Sequence, residues 1–279
     1  MGDSQAERLR ARIREIQREF RLEAIGVAVH DYERGRHFQH EADRWFHAAS
    51  TFKAAVLLAV FNAAEKGLLR LDDQLHVRNR FRSIVDGSIY RIAGDRDGDP
   101  GGHGRVGRSM KIAELAHAMV TRSSNLATNL LVDFIGVNAI REMLANAGVD
   151  GMRIVRGVED HVAFQKGMNN ETTARGLVQL FRLLCEGEFL TEFSRQQIRD
   201  IFLAQEFKSM LPARLPAHVR VAHKTGEIST HWHDAGIVNF PDRKPYVVAI
   251  LTQGPPSVDQ PQRAVAALSE ALFETVTAA

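Results

Sequence analysis

The chain has 279 residues, of which 44% are hydrophobic and 25% charged, and this composition fits a globular protein with a sizeable core in one large domain or two lobes. Its formal charge of +2 is the difference between 36 basic and 34 acidic residues spread along the chain, which argues against a nucleic-acid-binding surface. Cys185 is the only cysteine, so an intrachain disulfide is excluded.

The first part of the chain predicts a helix, a hairpin and a second helix. Apolar residues recur at helical spacing in Leu9–Phe20. Ile25–His30 and Arg36–His40 are short and separated by turn-forming residues, a pattern typical of a β-hairpin. Ala48–Lys66 consists mostly of helix formers, is apolar on most sides and ends at a glycine, which predicts a buried helix. The Gly- and Asp-rich segment Asp95–Arg108 is interpreted as a surface loop.

The middle of the chain is predicted to be helical, and its last part to supply strands. Helical patterns occupy Ile112–Val120, Asn125–Ile135, Asn138–Ala147, Thr173–Glu186 and Ser194–Gln205, with an irregular segment at Gly151–Asn170. Strand patterns follow at Val219–His223, Ala235–Phe240 and Tyr246–Thr252, with a closing helix at Gln260–Val276.

This order of elements draws the strands from both ends of the chain. It predicts an α+β fold, with an antiparallel sheet flanked by terminal helices and a separate all-helical lobe. Residues 1–47 and 208–279 are expected to form the α/β lobe, and residues 48–207 the helical lobe. The cleft between two such lobes is the expected place for an active site.

Ser50 and Lys53 are three residues apart in a predicted helix, which places them on one face within reach of each other. A serine alcohol becomes a good nucleophile when a base takes its proton, and a lysine whose pKa is lowered by burial can be that base. Backbone N–H groups at the helix start can also stabilise an oxyanion. The alternative is a purely structural role for the same pair, with Ser50 as a helix N-cap and Lys53 reaching to solvent.

Two further motifs favour the chemical interpretation. Ser123-Ser124-Asn125 opens a helical pattern, and Lys224-Thr225-Gly226 follows a predicted strand. The order Ser-x-x-Lys, Ser-x-Asn, Lys-Thr-Gly resembles that of the serine β-lactamases and penicillin-binding proteins. The resemblance covers most of the chain, and Asn129 and Leu130 bring it closest to the class A β-lactamases. It implies the β-lactamase fold, a small β-lactam or acyl-D-Ala-like substrate, and no metal or organic cofactor.

The resemblance implies a role for each residue in proton transfer. Ser50 would be the acylated nucleophile, and Lys53 would accept its proton directly or through water. Ser123 would pass a proton to the leaving nitrogen. The backbone N–H of Ser50 would be one of two donors to the oxyanion.

The resemblance also implies which residues bind the substrate. Asn125 would hydrogen-bond the amide of the substrate side chain, and Lys224 and Thr225 would bind the substrate carboxylate. Gly226 completes that motif. The backbone N–H of Glu227 would be the second oxyanion donor, for which the type of side chain is unimportant.

The chain departs from the class A pattern in two places. Ser124 stands where those enzymes carry Asp, and Glu159 lies one position late for the glutamate that drives deacylation. Glu159 lies in the segment Arg156–Glu171, which matches the class A loop that carries that glutamate. The segment keeps the class A spacing between an arginine and an acidic residue at its two ends, which predicts an ion pair between Arg156 and Glu171. Glu159 is therefore either a shifted deacylation base or an ordinary solvated loop carboxylate.

His231 and His233 invite an interpretation as metal ligands, because residues i and i+2 point to the same face of a strand. No third ligand is identifiable from the sequence, so no metal site is expected. His233 is expected to line the cleft or to pack inside the protein.

We therefore expect a monomeric β-lactamase-type serine hydrolase acting on a small molecule. A D-alanyl-D-alanine peptidase or an esterase could use the same residues, and a penicillin sensor that stays acylated would explain the shifted glutamate. Met1–Arg10 lacks the apolar region of a secretory signal and no membrane-length apolar run follows, so neither export nor membrane insertion is expected of the chain as given. A periplasmic or secreted location would require a leader that has been removed; otherwise the protein is expected in the cytoplasm.

Overall fold

The computed structural model describes residues 3–187 and 189–278. In the first half of the chain the elements are, in order, α1 (Asp3–Glu19), β1 (Ala24–Asp31), β2 (Arg36–His40), β3 (Phe46–His47), α2 (Lys53–Glu65), β4 (Gln74–His76), β5 (Phe81–Arg82), β6 (Ile89–Tyr90), a 3₁₀ turn (Gly94–Arg96), α3 (Pro100–His103), β7 (Ser109–Lys111) and α4 (Ile112–Thr121). In the second half they are α5 (Asn125–Ile135), α6 (Val137–Asn146), β8 (Met152–Arg153), α7 (His161–Gln165), β9 (Glu171–Thr172), α8 (Ala174–Arg182), α9 (Glu192–Leu203), β10 (Arg220–Ile228), β11 (His231–Asn239), β12 (Tyr246–Gln253) and α10 (Gln262–Thr277).

The main sheet has five antiparallel strands in the order β10-β11-β12-β1-β2. Its centre joins the two chain ends, since Val27 of β1 is in register with Ile250 of β12 on one side and with His40 of β2 on the other. The predicted α+β fold with an antiparallel sheet is therefore confirmed. The hairpin prediction is also confirmed, because β1 and β2 pair directly.

The sheet separates two hydrophobic cores, because its side chains alternate between the two faces. Val27 and Val29 pack with α1 and α10, the two terminal helices. Ala28 lies in the other core, with the buried helices of the middle of the chain. α2 is surrounded on most sides, and each of its residues from Lys53 to Phe61 is buried. None of the helices in the two described ranges has the length and apolar character needed to cross a membrane.

The helix that carries Lys53 begins later than the sequence predicts. The prediction was a helix over Ala48–Lys66, whereas α2 begins at Lys53. Ala49 has a left-handed backbone with φ of +46°, which is incompatible with a continuous helix. Lys53 N–H then donates to Ser50 O at 3.2 Å, in a tight i to i+3 turn. Ser50 therefore lies on this turn, just before the regular helix.

Two other sequence interpretations also need correction. Asp95–Arg108 is not simply a surface loop, since it contains α3 and buries Asp97 and Asp99, which are 7% exposed. The strand predicted at Val219–His223 continues to Ile228, so the Lys-Thr-Gly motif lies within β10 rather than after it. This placement brings the motif onto the edge strand of the sheet.

Candidate active site

Lys53 is buried at the first position of α2, with 0% of its surface exposed. In the part of the chain that the structure describes, its Nζ makes three hydrogen bonds. It lies 2.8 Å from Ser123 O, 3.2 Å from Ser123 Oγ and 2.8 Å from Asn125 Oδ1. Lys53 is buried, as the role of a base requires, but its amine hydrogen-bonds Ser123 and Asn125 rather than Ser50, which the sequence places within its reach. The amine instead holds the second motif beside the first.

Ser123 Oγ connects the first motif to the third. It lies 3.2 Å from Lys53 Nζ and 3.2 Å from Lys224 Nζ, so the hydroxyl stands between two amines. Lys224 also donates to Thr225 O at 2.9 Å and is fully buried. Ser123 has a φ of +56°, an unusual conformation that aims its side chain into this gap. The structure thus brings together the three motifs that are far apart in sequence.

Burial lowers the pKa of both lysines, because a buried ammonium loses its hydration. The pKa of Lys53 falls well below its ordinary value, first by burial and then by the charge of Lys224, with Asp97 and Glu159 acting in the opposite direction. Burial lowers the pKa of Lys224 to about 7, and Asp234 limits the shift. A neutral Lys53 donates two hydrogens and keeps a lone pair, as a proton acceptor must.

The third motif lies directly against the turn that carries Ser50. A Cβ placed on Gly226 would lie 2.8 Å from Thr51 Cγ2 and 3.1 Å from Ser50 N, so only glycine fits this approach. The backbone of β10 at Gly226 therefore passes beside the backbone nitrogen of Ser50. Within the described ranges, Ser50 N–H donates to no other protein group. This geometry suits Ser50 and Glu227 as two neighbouring backbone donors.

The turn before Ser50 is stabilised by His47, which the sequence analysis did not single out. His47 Nδ1 accepts a hydrogen bond from Ala49 N–H at 3.0 Å, and this bond stabilises the turn. Nδ1 is then unprotonated, and the hydrogen of the neutral ring is on Nε2. Burial lowers the pKa of His47 to about 4, which keeps the ring neutral at physiological pH. In the sequence, only its position three residues before Ser50 could have drawn attention to His47.

A cavity of about 240 Å³ opens in front of Ser50. The predicted site residues Asn125, Glu159 and Glu227 also line it, together with Arg96 from the 3₁₀ turn. Lys53, Lys224 and Thr225 lie behind this surface as buried residues. The cavity therefore presents the alcohol, an amide and backbone donors to a small molecule, with the two buried amines directly behind them.

The loop that carries Glu159 is held by Asn129 of α5. Asn129 Oδ1 accepts from Val158 N–H at 2.7 Å, and its Nδ2 donates to Val158 O at 3.0 Å. Gly157 allows this contact, since a Cβ there would lie 2.2 Å from Asn129 Oδ1. The resemblance drew attention to Asn129 without giving it a task. In the structure it fixes the backbone immediately before Glu159.

Glu159 faces the cavity in spite of its shifted position in the sequence. It has a left-handed backbone with φ of +59°, and its side chain is 24% exposed. Its Oε2 lies 3.7 Å from an Arg96 nitrogen and 3.5 Å from His161 Nε2. The neighbouring Asp160 is unsuitable as a base, because its buried carboxylate accepts hydrogen bonds from Ala163 N–H and Ile84 N–H. Asp160 also lines the cavity, but its two oxygens are engaged by these hydrogen bonds, so Glu159 is the candidate base of this loop.

The predicted ion pair between Arg156 and Glu171 is wrong. Glu171 pairs at 3.2 Å with Arg153 on the surface. Arg156 is buried and donates instead to Met168 O at 2.8 Å, Gly157 O at 3.0 Å and Asn169 Oδ1 at 2.8 Å. The guanidinium closes the loop by binding oxygens of the loop itself, so a carboxylate at the matching spacing is not required.

His233 packs inside the protein rather than lining the cavity. It is fully buried, its Nε2 lies 2.9 Å from His47 O, and its Nδ1 accepts from Thr252 N–H at 3.2 Å. Burial lowers the pKa of His233 to about 3 and that of His231 to about 4. In residues 3–187 and 189–278, no three His, Cys, Asp or Glu side chains are grouped so that they could hold a metal ion.

Comparison with known proteins adds an independent observation. Residues 8–276 match the family described as the β-lactamase enzyme family. A β-lactamase from Streptomyces fradiae is 27% identical over 97% of this chain and 87% of that protein. The crystal structure of a β-lactamase from Xanthomonas campestris pv. campestris superimposes with a TM-score of 0.83 at 28% identity, over 98% of both chains. An acyl-enzyme complex of a PBP-A mutant with penicillin G gives a TM-score of 0.79 at 26% identity, over 95% of both chains.

The hydrogen bonds of the loop that carries Glu159 predict that Arg156, rather than Glu171, stabilises it. Arg156→Ala should lower the free energy of unfolding by about 1.5–3 kcal/mol, because three part-buried hydrogen bonds lose their charged donor. Glu171→Gln removes only an exposed ion pair and should change it by less than about 1 kcal/mol. Urea denaturation of the two variants and the parent measures both effects. Equal losses of stability in the two variants would contradict the conclusion that Arg156 stabilises the loop.

Proposed function

Since the chain belongs to the β-lactamase enzyme family, we propose that it hydrolyses β-lactams through an acyl-enzyme on Ser50. The observation that carries this proposal is the position of Ser123 Oγ, 3.2 Å from the buried amines of both Lys53 and Lys224. This arrangement joins a base, a proton relay and an anion-binding cation beside one alcohol. The family membership gives less support to a peptidase, an esterase or a penicillin sensor.

In the first half of the reaction, Ser50 Oγ attacks the lactam carbonyl and its proton passes to neutral Lys53. The Lys53 amine can receive this proton directly after a small movement, or through an intervening water. The backbone N–H groups of Ser50 and Glu227 stabilise the oxyanion. The proton then reaches the lactam nitrogen by way of Ser123, which already contacts Lys53. The carbon–nitrogen bond breaks, and the acyl group remains on Ser50.

In the second half, a water attacks the ester and restores Ser50. Glu159 is the proposed base, because it lines the same cavity as Ser50. Glu159 lies one position late for the class A glutamate and its carboxylate also contacts Arg96 and His161, so we expect it to be imperfectly aligned with that water. Poor alignment of a base can reduce a rate on the order of a hundredfold. Deacylation is therefore the slower half.

The decisive variants are Ser50→Ala and Lys53→Ala. Both should abolish acylation by penicillin G, since the first removes the nucleophile and the second its base. Ring opening followed by absorbance, with circular dichroism to verify folding, measures the outcome. Retained hydrolysis in folded Ser50→Ala protein would refute the proposed function. Retained acylation in Lys53→Ala would assign the base elsewhere.

Glu159→Gln should accumulate acyl-enzyme while forming it at the parental rate, because only deacylation uses this carboxylate. Glu171→Gln is the matched control, since Glu171 is exposed in the same region and pairs with Arg153. It should turn over like the parent. Intact-protein mass during steady turnover gives the acylated fraction of each protein. A Glu159→Gln variant that hydrolyses at the parental rate would show that Glu159 is only a loop carboxylate.

The pH profile should depend on the substrate carboxylate. Lys224, with a pKa of about 7, loses its charge as the pH rises, so carboxylate binding weakens above that value. kcat/KM for penicillin G should therefore fall above about pH 7, whereas kcat/KM for its methyl ester should not. Both substrates should lose activity together at acid pH, where Lys53 becomes protonated. Identical alkaline limbs for acid and ester would contradict this role of Lys224.

The proposed mechanism also predicts independence from metals and from oligomerisation. The alcohol and its amine base supply the nucleophile, so no Lewis acid has a task in any step. We propose that the protein acts as a monomer without a cofactor. Incubation with a strong chelator should leave turnover unchanged, and specific activity should not vary with dilution. Activity that a chelator abolishes and zinc restores would contradict the mechanism.

A further inference from the structure

Asp97 is a buried carboxylate outside the recognised motifs, and its side chain is 0% exposed. Its Oδ1 accepts from Asp99 N–H at 3.0 Å and from Asn125 N–H at 2.9 Å. Its Oδ2 accepts from Leu126 N–H at 2.9 Å and lies 3.0 Å from His103 Nε2. Four donors thus converge on one carboxylate. A charge buried at such a position is stable only when its oxygens are satisfied in this way.

Two of these donors are the first N–H groups of α5. The N-cap residue Ser124 reaches only Ala127 N–H, at 3.2 Å, and leaves the first two without a side-chain acceptor from the helix itself. Asp97 satisfies them from another segment and places a negative charge at the positive end of the helix. The side chain of Asn125, which extends from this first turn, lies 2.8 Å from Lys53 Nζ. The carboxylate therefore fixes the turn that contacts the base.

The segment around Asp97 is also pressed against the backbone that leads into Ser123. A Cβ on Gly98 would lie only 2.0 Å from Arg122 O, so this contact requires glycine. Asp99 pairs with the Arg122 guanidinium at 3.2 Å from the same side. Ser123 follows directly, in its left-handed conformation. Residues 97–99 thus hold the unusual backbone that aims Ser123 Oγ between the two lysines.

We propose that Asp97 is a positioning residue of the active site, which holds Ser123 and Asn125 against Lys53 through the first turn of α5. The inference rests on the proposed function, because those residues matter only if Ser50 is acylated. Class A enzymes, which this chain resembles, carry Asp in the middle of the second motif. Here that position is Ser124, and the carboxylate at the helix N-terminus comes from Asp97.

The charge of Asp97 also affects Lys53. Burial and Lys224 lower the pKa of Lys53, whereas Asp97 and Glu159 raise it. His103 is the titratable group that contacts Asp97 itself, at 3.0 Å. Removing the Asp97 charge should therefore lower the pKa of Lys53 further. The amine then becomes neutral at a lower pH, and the acid limb of the acylation profile should move to lower pH.

The first test is Asp97→Asn in the full chain. The new amide nitrogen would face N–H donors, so the first turn of α5 must shift. At pH 7 the rate of acylation by penicillin G, followed by intact-protein mass, should fall by at least about tenfold, since misplaced groups of this kind cost rate steeply. The acid limb should also move to lower pH, which a merely structural role would not produce. Asp95→Asn, at an exposed neighbour in the 3₁₀ turn just before Asp97, should acylate like the parent.

Ser124→Asp provides the second test. Alone, it puts two carboxylates at one helix N-terminus, and their repulsion should slow acylation. Combined with Asp97→Asn, it returns a single carboxylate to that place. The double variant should therefore acylate several-fold faster than Asp97→Asn alone. A double variant that is no faster, or an Asp97→Asn variant with the parental rate and pH profile, would overturn the inference.

The remaining outcomes are also decisive. If Asp97→Asn fails to fold even with Ser124→Asp present, Asp97 is needed for folding and the positioning role is wrong. If penicillin G acylates neither the parent nor Asp95→Asn, the proposed function has failed and this inference fails with it. If the parent is acylated and only the Asp97 variants behave unexpectedly, the proposed function stands and this inference alone is rejected.

Discussion

Two amines share one buried site in this protein, and the arrangement of the active site depends on their separation by a single hydroxyl. Lys53 and Lys224 are both fully buried, and Ser123 Oγ lies 3.2 Å from each. Burial lowers the pKa of both amines, and the charge of Lys224 lowers that of Lys53 further, which favours a neutral Lys53 beside a charged Lys224. The result is a free base beside a cation. Burial of the two lysines therefore creates the proposed base and the proposed anion site together.

Close backbone approach keeps these groups in place. Gly226 brings β10 against the turn of Ser50, and Gly157 lets Asn129 hold the loop that carries Glu159. Each contact leaves no room for a Cβ, so three segments that are distant in sequence meet with little freedom. In the proposed mechanism deacylation depends on Glu159, a loop carboxylate that also contacts Arg96 and His161, and for this reason we expect the two steps to differ in rate.

Much of the fold and the motif residues could be predicted from sequence, because they depend on local patterns. The bounds predicted for α5 agree with the structure, since the Ser124 N-cap and the apolar spacing are local signals. The Ser50 turn was missed, because the left-handed Ala49 is stabilised by the imidazole of His47 rather than by local propensity. The partners of Arg156 and the burial of Asp97 depend on tertiary contacts that no local pattern specifies.

The central claim is that Ser50 is acylated by the β-lactam and that the acyl group is then released by hydrolysis. It is tested most directly by the intact mass of the parent protein against time after addition of penicillin G and a cephalosporin at pH 7. The account predicts an adduct of one β-lactam per chain that maps to Ser50, forms quickly and disappears as substrate is exhausted. An adduct that persists after substrate is gone would contradict hydrolysis. Substrate consumption without an adduct at Ser50, even under rapid quenching, would contradict the acyl-enzyme itself.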